Sequence, residues 1–331
     1  LKVKKGAIVS SEVQKKLKVV VVGYGHLGKW HCEKVSESLR ADLEAIVDPL
    51  STSREKARAG HPGVKVFSQL DELNNVAIDA AVVVVPTSFH FEVVEYFLKR
   101  KTPVFCEKPL VSKLSDAYRL EEILNEKSGT LQVGHSERFH KIWEKREEFE
   151  SFLEGPAIIR MDRLAVSKGR AKDVDVVQDL MIHDLDLINY LVGEKPYSLR
   201  AWGCKMVDDK WDSVTAELKF SSGKVAFLTS ARHYVEEKRY LSSTNSKGSL
   251  LVDLLNNKLK VSESTKEGSG EFVVRDETYD KRDHLKLEQE LFYSSILEGK
   301  EIAVSLEEGL YAVKLVDRVL ESLASNQEIN I

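Results

Sequence analysis

The chain has 331 residues, 42% of them apolar and 31% charged, with a formal net charge of −4. That length accommodates two domains, and a mixed, weakly acidic surface offers no electrostatic attraction to nucleic acid or to an anionic membrane. Three cysteines, Cys32, Cys106 and Cys204, stand far apart, which excludes a disulfide framework or a CxxC metal pair and fits a reducing, cytoplasmic compartment.

Residues 1–16, LKVKKGAIVSSEVQKK, read as a polar extension, basic but without the apolar stretch of a secretory signal. No run is long and apolar enough to span a bilayer. From Leu17 the pattern alternates. LKVVVV reads as a strand and HLGKWHCEKVSESL as a helix, followed by DLEAIVD and the helical STSREKARAG. After the short VKVF comes IDAAVVVVP, a continuous apolar run suited to a strand covered on both faces. The helix SFHFEVVEYFLKRK, the strand PVFCEKP, the helix KLSDAYRLEEILNEK and the strand TLQVGH follow. Strands alternating with helices predict a Rossmann-type, doubly wound parallel sheet over 17–135.

Beyond His135 the rhythm changes, and 136–331 is predicted as an α+β domain with a large, mostly antiparallel sheet. RFHKIWEKREEFESFL is expected as a helix and PAIIRMDRLAV as extended. VVQDLMIHDLDLINYLV (176–192) is a largely apolar helix carrying Asp179, His183, Asp184 and Asp186. Long strand-like alternations with the turns SSGK and NSKG come next, and two helices, HLKLEQELFYSSILEG and SLEEGLYAVKLVDRVLESL, close the chain.

Two stretches carry chemistry at the first sheet. VVVVGYGHLG sets Gly23, Gly25 and Gly28 in G-x-G-x-x-G spacing between a strand and a helix. There the first glycine permits the turn, the second a close approach of pyrophosphate, and the third tight helix–strand packing. Asp48 ends the second strand, where a carboxylate accepts from a ribose 2′-hydroxyl and repels a 2′-phosphate. NAD is therefore expected, with NADP the alternative. FCEKPL ends a later strand at the carboxyl edge, the ligand-binding edge of such sheets, and presents Lys108 beside Glu107.

In the second domain Asp179, His183, Asp186 and Tyr190 fall at i, i+4, i+7 and i+11, one stripe of an α-helix, with Met181, Leu185, Ile188 and Val192 on a core-facing stripe beside it. Charges are rare in a core unless paired or used, so the polar stripe is expected to line a cleft. Asp184, off the stripe, is expected to be solvated or ion-paired.

GYGHLG, Asp48, VVVVPTSFH, CEKPL and DLMIHDLD together resemble the Gfo/Idh/MocA oxidoreductases, over nearly the whole chain from Leu17. In the last motif Met181 stands where many members have glycine. The resemblance implies an NAD(P)-dependent enzyme that oxidises a secondary alcohol of a sugar or cyclitol, or reduces the ketone. It gives Lys108, Asp179 and His183 the contacts to the reacting hydroxyl. It places the cofactor on Gly23, Tyr24, Gly25, His26, Leu27, Gly28, Asp48, Pro86, Thr87, His90, Glu107 and Lys108. A histidine titrates near neutrality and suits the base, while the ammonium stabilises charge on the oxygen. No metal is expected, because hydride transfer to nicotinamide needs none.

DVDVV-DLMIHD-D and GHSERF further resemble the branch of UDP-N-acetylglucosamine 3-dehydrogenases, although His140 and Lys141 stand where that branch often has Asn-Pro. A diphosphate substrate would give work to the basic stretch Arg160, Arg163, Lys168, Arg170 and Lys172, with His135 and Arg138 at the domain junction as further substrate contacts. The expected partners are thus a small-molecule sugar or nucleotide sugar, with neither nucleic acid nor membrane. A second copy is also expected, making a homodimer or homotetramer, because AELKF and KVAFLTSA leave one sheet face needing cover. Alternatives are a dehydrogenase of a free sugar or cyclitol, and a non-catalytic dinucleotide or sugar sensor.

Overall fold

The computed structural model describes residues 15–127, 129–166, 174–266 and 269–331. β1 (Leu17–Val22) is buried at every position except Lys18. Its four consecutive valines point to both faces, which a sheet tolerates when both are covered. Around it lie β2 (Ala41–Val47), β3 (Lys65–Phe67), β4 (Ala80–Val83), β5 (Val104–Glu107) and β6 (Leu131–Gly134). All pairings are parallel, in the order β3-β2-β1-β4-β5-β6. This is the dinucleotide-binding order, whose direction of growth reverses between β1 and β4. Helices α1 (His26–Glu37), α2 (Ser51–Gly60), α3 (His90–Lys99) and α4 (Leu114–Lys127) make the crossovers.

The second sheet contains β7 (Ile158–Leu164), β8 (Ser198–Cys204), β9 (Ser213–Lys219), β10 (Val225–Ala231), β11 (Lys238–Asn245), β12 (Gly248–Asp253), β13 (Lys258–Ser264), β14 (Phe272–Thr278) and β15 (Ile329–Asn330). Its order is β14-β13-β12-β11-β7-β10-β9-β8-β15. Only β7 and β10 run parallel; the other pairings are antiparallel. Burial alternates along β9, with Val214, Ala216 and Leu218 turned to the core. α5 (Ile182–Val192) covers that face with Leu185 and Ile188, and ends where Gly193 takes φ 66°.

Two helices cross the expected boundary at residue 135. α6 (His284–Glu298) belongs by sequence to the second domain, yet Phe292 and Tyr293 join the core of the first sheet with Val19, Val21 and Phe105. α7 (Leu306–Ser325) starts with a capping box, Ser305 Oγ accepting from the Glu308 amide and the Glu308 carboxylate from the Ser305 amide. Its Leu306, Leu310 and Val313 pack on the first sheet, and its Ala312, Leu315 and Val316 on the second. A Cβ on Gly309 would come within 2.6 Å of Val133, so α7 lies close over β6.

Two local expectations are corrected. Residues 138–153 do not form one α-helix but tight 3₁₀ turns, Ser136–Phe139, Lys141–Glu148 and Glu150–Leu153. Tertiary anchors compete with the regular helix there: the Trp143 indole donates to the Glu137 carbonyl at 2.8 Å, and Arg138 is drawn to Asp186 at 2.6–2.8 Å. The helix expected from 176 begins instead as a π-turn, Val177–Met181. π-turns of this kind concentrate at functional sites. Among the described residues no helix is long and apolar enough to cross a membrane.

Candidate active site

A cleft of about 790 Å³ runs along the carboxyl edges of β1, β2, β4 and β5. Val174, Gln178 and Asp179 of the second lobe form part of its wall. At its centre the glycine turn leaves β1. Gly23 has φ 97°, and a Cβ there would meet the Val84 carbonyl oxygen at 2.6 Å. A Cβ on Gly28 would overlap the Gly23 carbonyl oxygen, whereas one on Gly25 would find nothing within 4 Å. Two of the glycines therefore let the backbone close on itself, and Gly25 leaves room in the cleft at the amino end of α1. That opening fits a dinucleotide pyrophosphate facing helix amides.

Asp48 is buried at the end of β2. Its Oδ2 accepts from the Tyr24 amide at 2.7 Å and its Oδ1 from the Leu50 amide at 2.8 Å. Each oxygen retains acceptor capacity toward a ribose. Arg54 donates to the Asp48 and Pro49 carbonyls at 2.9 and 2.7 Å, so its guanidinium is already engaged by main chain. His26, Leu27, Pro86 and Thr87 line the cleft as expected contacts would. Tyr24 does not: its ring is buried, edge-on to His61, and only its amide serves the site. His90 also touches the cleft, but its two ring nitrogens stand 2.8 Å from the Pro109 and Val85 carbonyl oxygens, so it braces two turns of the rim.

Lys108 joins the lobes. Its Nζ donates to the Asp179 carbonyl at 2.7 Å and lies 3.9 Å from the Asp179 carboxylate. Burial pulls the ammonium below the ordinary lysine range, against the upward pull of Asp179 and Glu107. His183, one turn beyond Asp179, is half-buried, and its Nδ1 has no protein partner. Burial first, and then the positive charges of Lys108 and Arg163, hold its imidazole well below the usual histidine range. His183 is not itself on the wall of the 790 Å³ cleft.

The expected polar stripe is divided. Asp186 is buried and receives two hydrogen bonds from Arg138, from Nε at 2.8 Å and Nη2 at 2.6 Å. Arg138 also pairs with Glu308 of α7. Asp184 is not solvated but buried, accepting from Arg163 at 2.7 Å. Arg163 donates in addition to Glu137 at 3.2 Å. Of the arginines expected to meet a diphosphate, Arg138 and Arg163 are thus neutralised inside the protein, since a buried guanidinium needs carboxylates of its own, whereas Arg160 is exposed. His135 is buried with neither ring nitrogen hydrogen-bonded, its Nδ1 3.7 Å from Asp186. Tyr190 is exposed, with the Arg138 guanidinium 5.1 Å from its ring centre. Arg170, with Lys168 and Lys172, lies outside the described residues.

Sequence reasoning missed several residues. Ser53, Ser68 and Gln69 line the far end of the cleft. Glu137 is a buried hub, accepting from His140 at 2.9 Å, Arg163 at 3.2 Å and Arg239 at 3.0 Å. The polar SERF segment gave no signal that Glu137 would be buried, and Arg239, remote in sequence, gave none either.

Residues 17–135 match the family model described as oxidoreductase family, NAD-binding Rossmann fold, and residues 168–331 match its C-terminal alpha/beta domain. The chain is 33% identical over 282 residues to the UDP-N-acetylglucosamine 3-dehydrogenase of Acidithiobacillus ferrooxidans, covering 83% of this chain and 87% of that protein. It is 28% identical to the inositol 2-dehydrogenase of Rhizobium meliloti, covering 94% and 98%. A solved structure of the A. ferrooxidans enzyme superimposes with a TM-score of 0.83 at 30% identity, covering 94% of this chain and 99% of that one.

Proposed function

The chain belongs to the Gfo/Idh/MocA oxidoreductase family, and from that premise we propose that it oxidises a ring hydroxyl of a nucleotide sugar, at C3 of a UDP-N-acetylhexosamine. The observation that carries the reading is the Lys108–Asp179 contact of 2.7 Å, which sets an ammonium from the first lobe beside the π-turn of the second, at the cofactor cleft. Similarity to a UDP-N-acetylglucosamine 3-dehydrogenase supports the substrate. NAD bound there would supply the acceptor for the hydride that leaves the substrate carbon. The glycine turn and Asp48 hold the dinucleotide, and Lys108 donates a hydrogen bond to the substrate oxygen as negative charge grows there. His183, kept neutral by burial and by the neighbouring cations, takes the hydroxyl proton on a ring nitrogen. Asp179 keeps Lys108 placed through its carbonyl.

A cyclitol such as inositol is the second reading. It is favoured by the inositol dehydrogenase similarity and by the internal pairing of Arg138 and Arg163, which leaves neither to meet a diphosphate. The same proposal includes self-association through the outward face of the second sheet, where Ile158 and Trp202 are exposed, and a cytoplasmic setting in which all three cysteines remain thiols.

The test is incubation with NAD and UDP-N-acetylglucosamine, or with inositols, following the near-ultraviolet absorbance of NADH in the presence of a ketone trap. Turnover of the nucleotide sugar at least about tenfold more efficient than of any cyclitol supports the first reading. The reverse ratio selects the second, and silence on both with intact NADH binding overturns the enzyme assignment in favour of a sensor.

A further inference from the structure

Behind the lysine turn runs a buried chain of polar groups that the proposed reaction does not use. His31 of α1 is fully buried among apolar neighbours, its ring 5.5 Å from that of Phe105. Its Nε2 lies 2.9 Å from Glu107 Oε1, and its Nδ1 is 2.7 Å from the amide nitrogen of Gln289 on α6. The Gln289 amide is oriented at both ends. Its nitrogen also faces the His31 carbonyl at 3.4 Å, and its oxygen accepts from the Tyr293 hydroxyl at 3.2 Å. With Gln289 donating into Nδ1, the ring carries its proton on Nε2 and donates it to Glu107. The second oxygen of Glu107 accepts from the Lys108 amide at 3.1 Å. Gly134 leaves no slack on the other side, since a Cβ there would come within 3.2 Å of the Glu107 carboxyl carbon.

We propose that His31 is a positioning residue for the reaction: held in one tautomer by Gln289, it fixes the Glu107 carboxylate, which in turn fixes the backbone from which Lys108 reaches the substrate oxygen. The proposal rests on the functional reading above and adds residues that touch neither substrate nor cofactor. It makes the cofactor-binding helix, the lysine turn and α6 one hydrogen-bonded unit. Glu107 thereby serves as an anion behind Lys108 that keeps the lysine charged against the cost of burial.

The electrostatics run in the same direction. Burial is the largest influence on the Glu107 carboxyl and raises it, but the interactions with His31, the Lys108 charge and the Lys108 amide together outweigh it, and the group stands below the usual range. Facing the pair are His90 of α3, His135 after β6 and Glu288 of α6. Lys108 also feels Asp179, Arg163 and Glu137. Without His31, Glu107 has only the Lys108 amide as donor and takes up a proton more readily. Lys108 then loses a counter-charge, and its own affinity for protons falls.

Two variants separate positioning from packing. His31→Phe keeps an aromatic ring and removes the donor; His31→Gln keeps a donor. Melting temperature and NADH fluorescence titration confirm that each folds and binds cofactor. His31→Phe is expected to lower kcat by between about tenfold and 100-fold, with KM for NAD changed less than about threefold. His31→Gln is expected to restore most of the loss. Equal losses in both variants, or parental kcat in His31→Phe, would overturn the proposal. A readout independent of turnover is the pH dependence of Lys108 acylation by an amine-reactive reagent, followed by peptide mass spectrometry. Its midpoint is expected to fall in His31→Phe, and an unmoved midpoint overturns the proposal even if no substrate is found. Absence of turnover in the parent protein with a shifted midpoint refutes the functional reading alone. Should His31→Phe fail to fold, Gln289→Leu, which frees Nδ1, is expected to shift the same midpoint.

Discussion

Lys108 is placed by two lobes at once, because its backbone belongs to the end of β5 and its ammonium is held by a carbonyl of the π-turn. Replacement by alanine removes the donor to the substrate oxygen but leaves the glycine turn and Asp48 untouched. Lys108→Ala is expected to lower kcat by about 100-fold or more while NADH affinity stays within about threefold; turnover near the parental rate would take Lys108 out of the mechanism. His183 supplies a second check at this scale. Burial and the nearby cations keep it below the ordinary histidine range. A group with a depressed value stays deprotonated on acidification, so it remains a competent base as pH falls. The acid limb of kcat/KM is therefore expected below about pH 6.5, the unperturbed histidine value. An acid limb at or above that value would mean that another group accepts the proton.

At the scale of elements, the glycine turn and the clasp on α5 make opposite demands. Gly28→Ala forces a methyl onto the Gly23 carbonyl, and is expected to lower the melting temperature by about 5 °C or more and weaken NADH binding. Gly25→Ala meets no protein atom, so its melting temperature is expected to stay within about 1 °C while NADH binding weakens at least about tenfold. Equal affinity in Gly25→Ala and parent, measured by fluorescence titration, would show that pyrophosphate does not sit there. In the clasp, Asp186→Asn leaves Arg138 with Glu308 as its remaining carboxylate, and is expected to cost about 3 kcal/mol in denaturant unfolding. These elements were unequally legible. The first sheet could be read strand by strand, because β-branched runs and punctual turns are local signals. The glycine turn and Asp48 were found for the same reason. The tight turns of 136–153 and the π-turn were not, since their partners are remote in sequence: Asp186 and Glu308 hold Arg138, and Lys108 bonds the Asp179 carbonyl. Arg138 and Arg163 looked like free cations because Asp186, which neutralises the first, read as part of a cleft-lining stripe, and Asp184, read as solvated or ion-paired, had no partner named in the sequence.

The molecule as a whole carries an acid sensitivity written in its buried imidazoles. Burial lowers His90, His135 and His183, and it pushes His284 down to about 4. A histidine whose folded value is depressed binds its proton in the unfolded chain first, so stability falls as pH drops below the unfolded value of about 6.5. Glu288 works the other way, because burial raises its carboxyl and its folded form keeps a proton that the unfolded chain releases. His61 is lowered as well, and burial raises Asp162 and Asp184 as it raises Glu288, so three carboxyls oppose five imidazoles. Denaturant unfolding is accordingly expected to show stability declining between about pH 6.5 and 5; a flat or rising profile there would show that these histidines are protonated in the folded protein.

The return of the polypeptide to its starting point, with α6 laid on the first sheet and α7 across β6, bears on modularity. A gene cut after residue 135 would encode every strand of the nucleotide fold yet omit its roof, uncovering Phe105 and Val133 to water. Such a fragment is expected to be recovered as aggregate rather than as a cofactor-binding module. The two halves of this chain therefore cannot be exchanged with other proteins at the point where the motifs invite the scissors; a viable chimera must carry α6 and α7 together with the sheet they shelter.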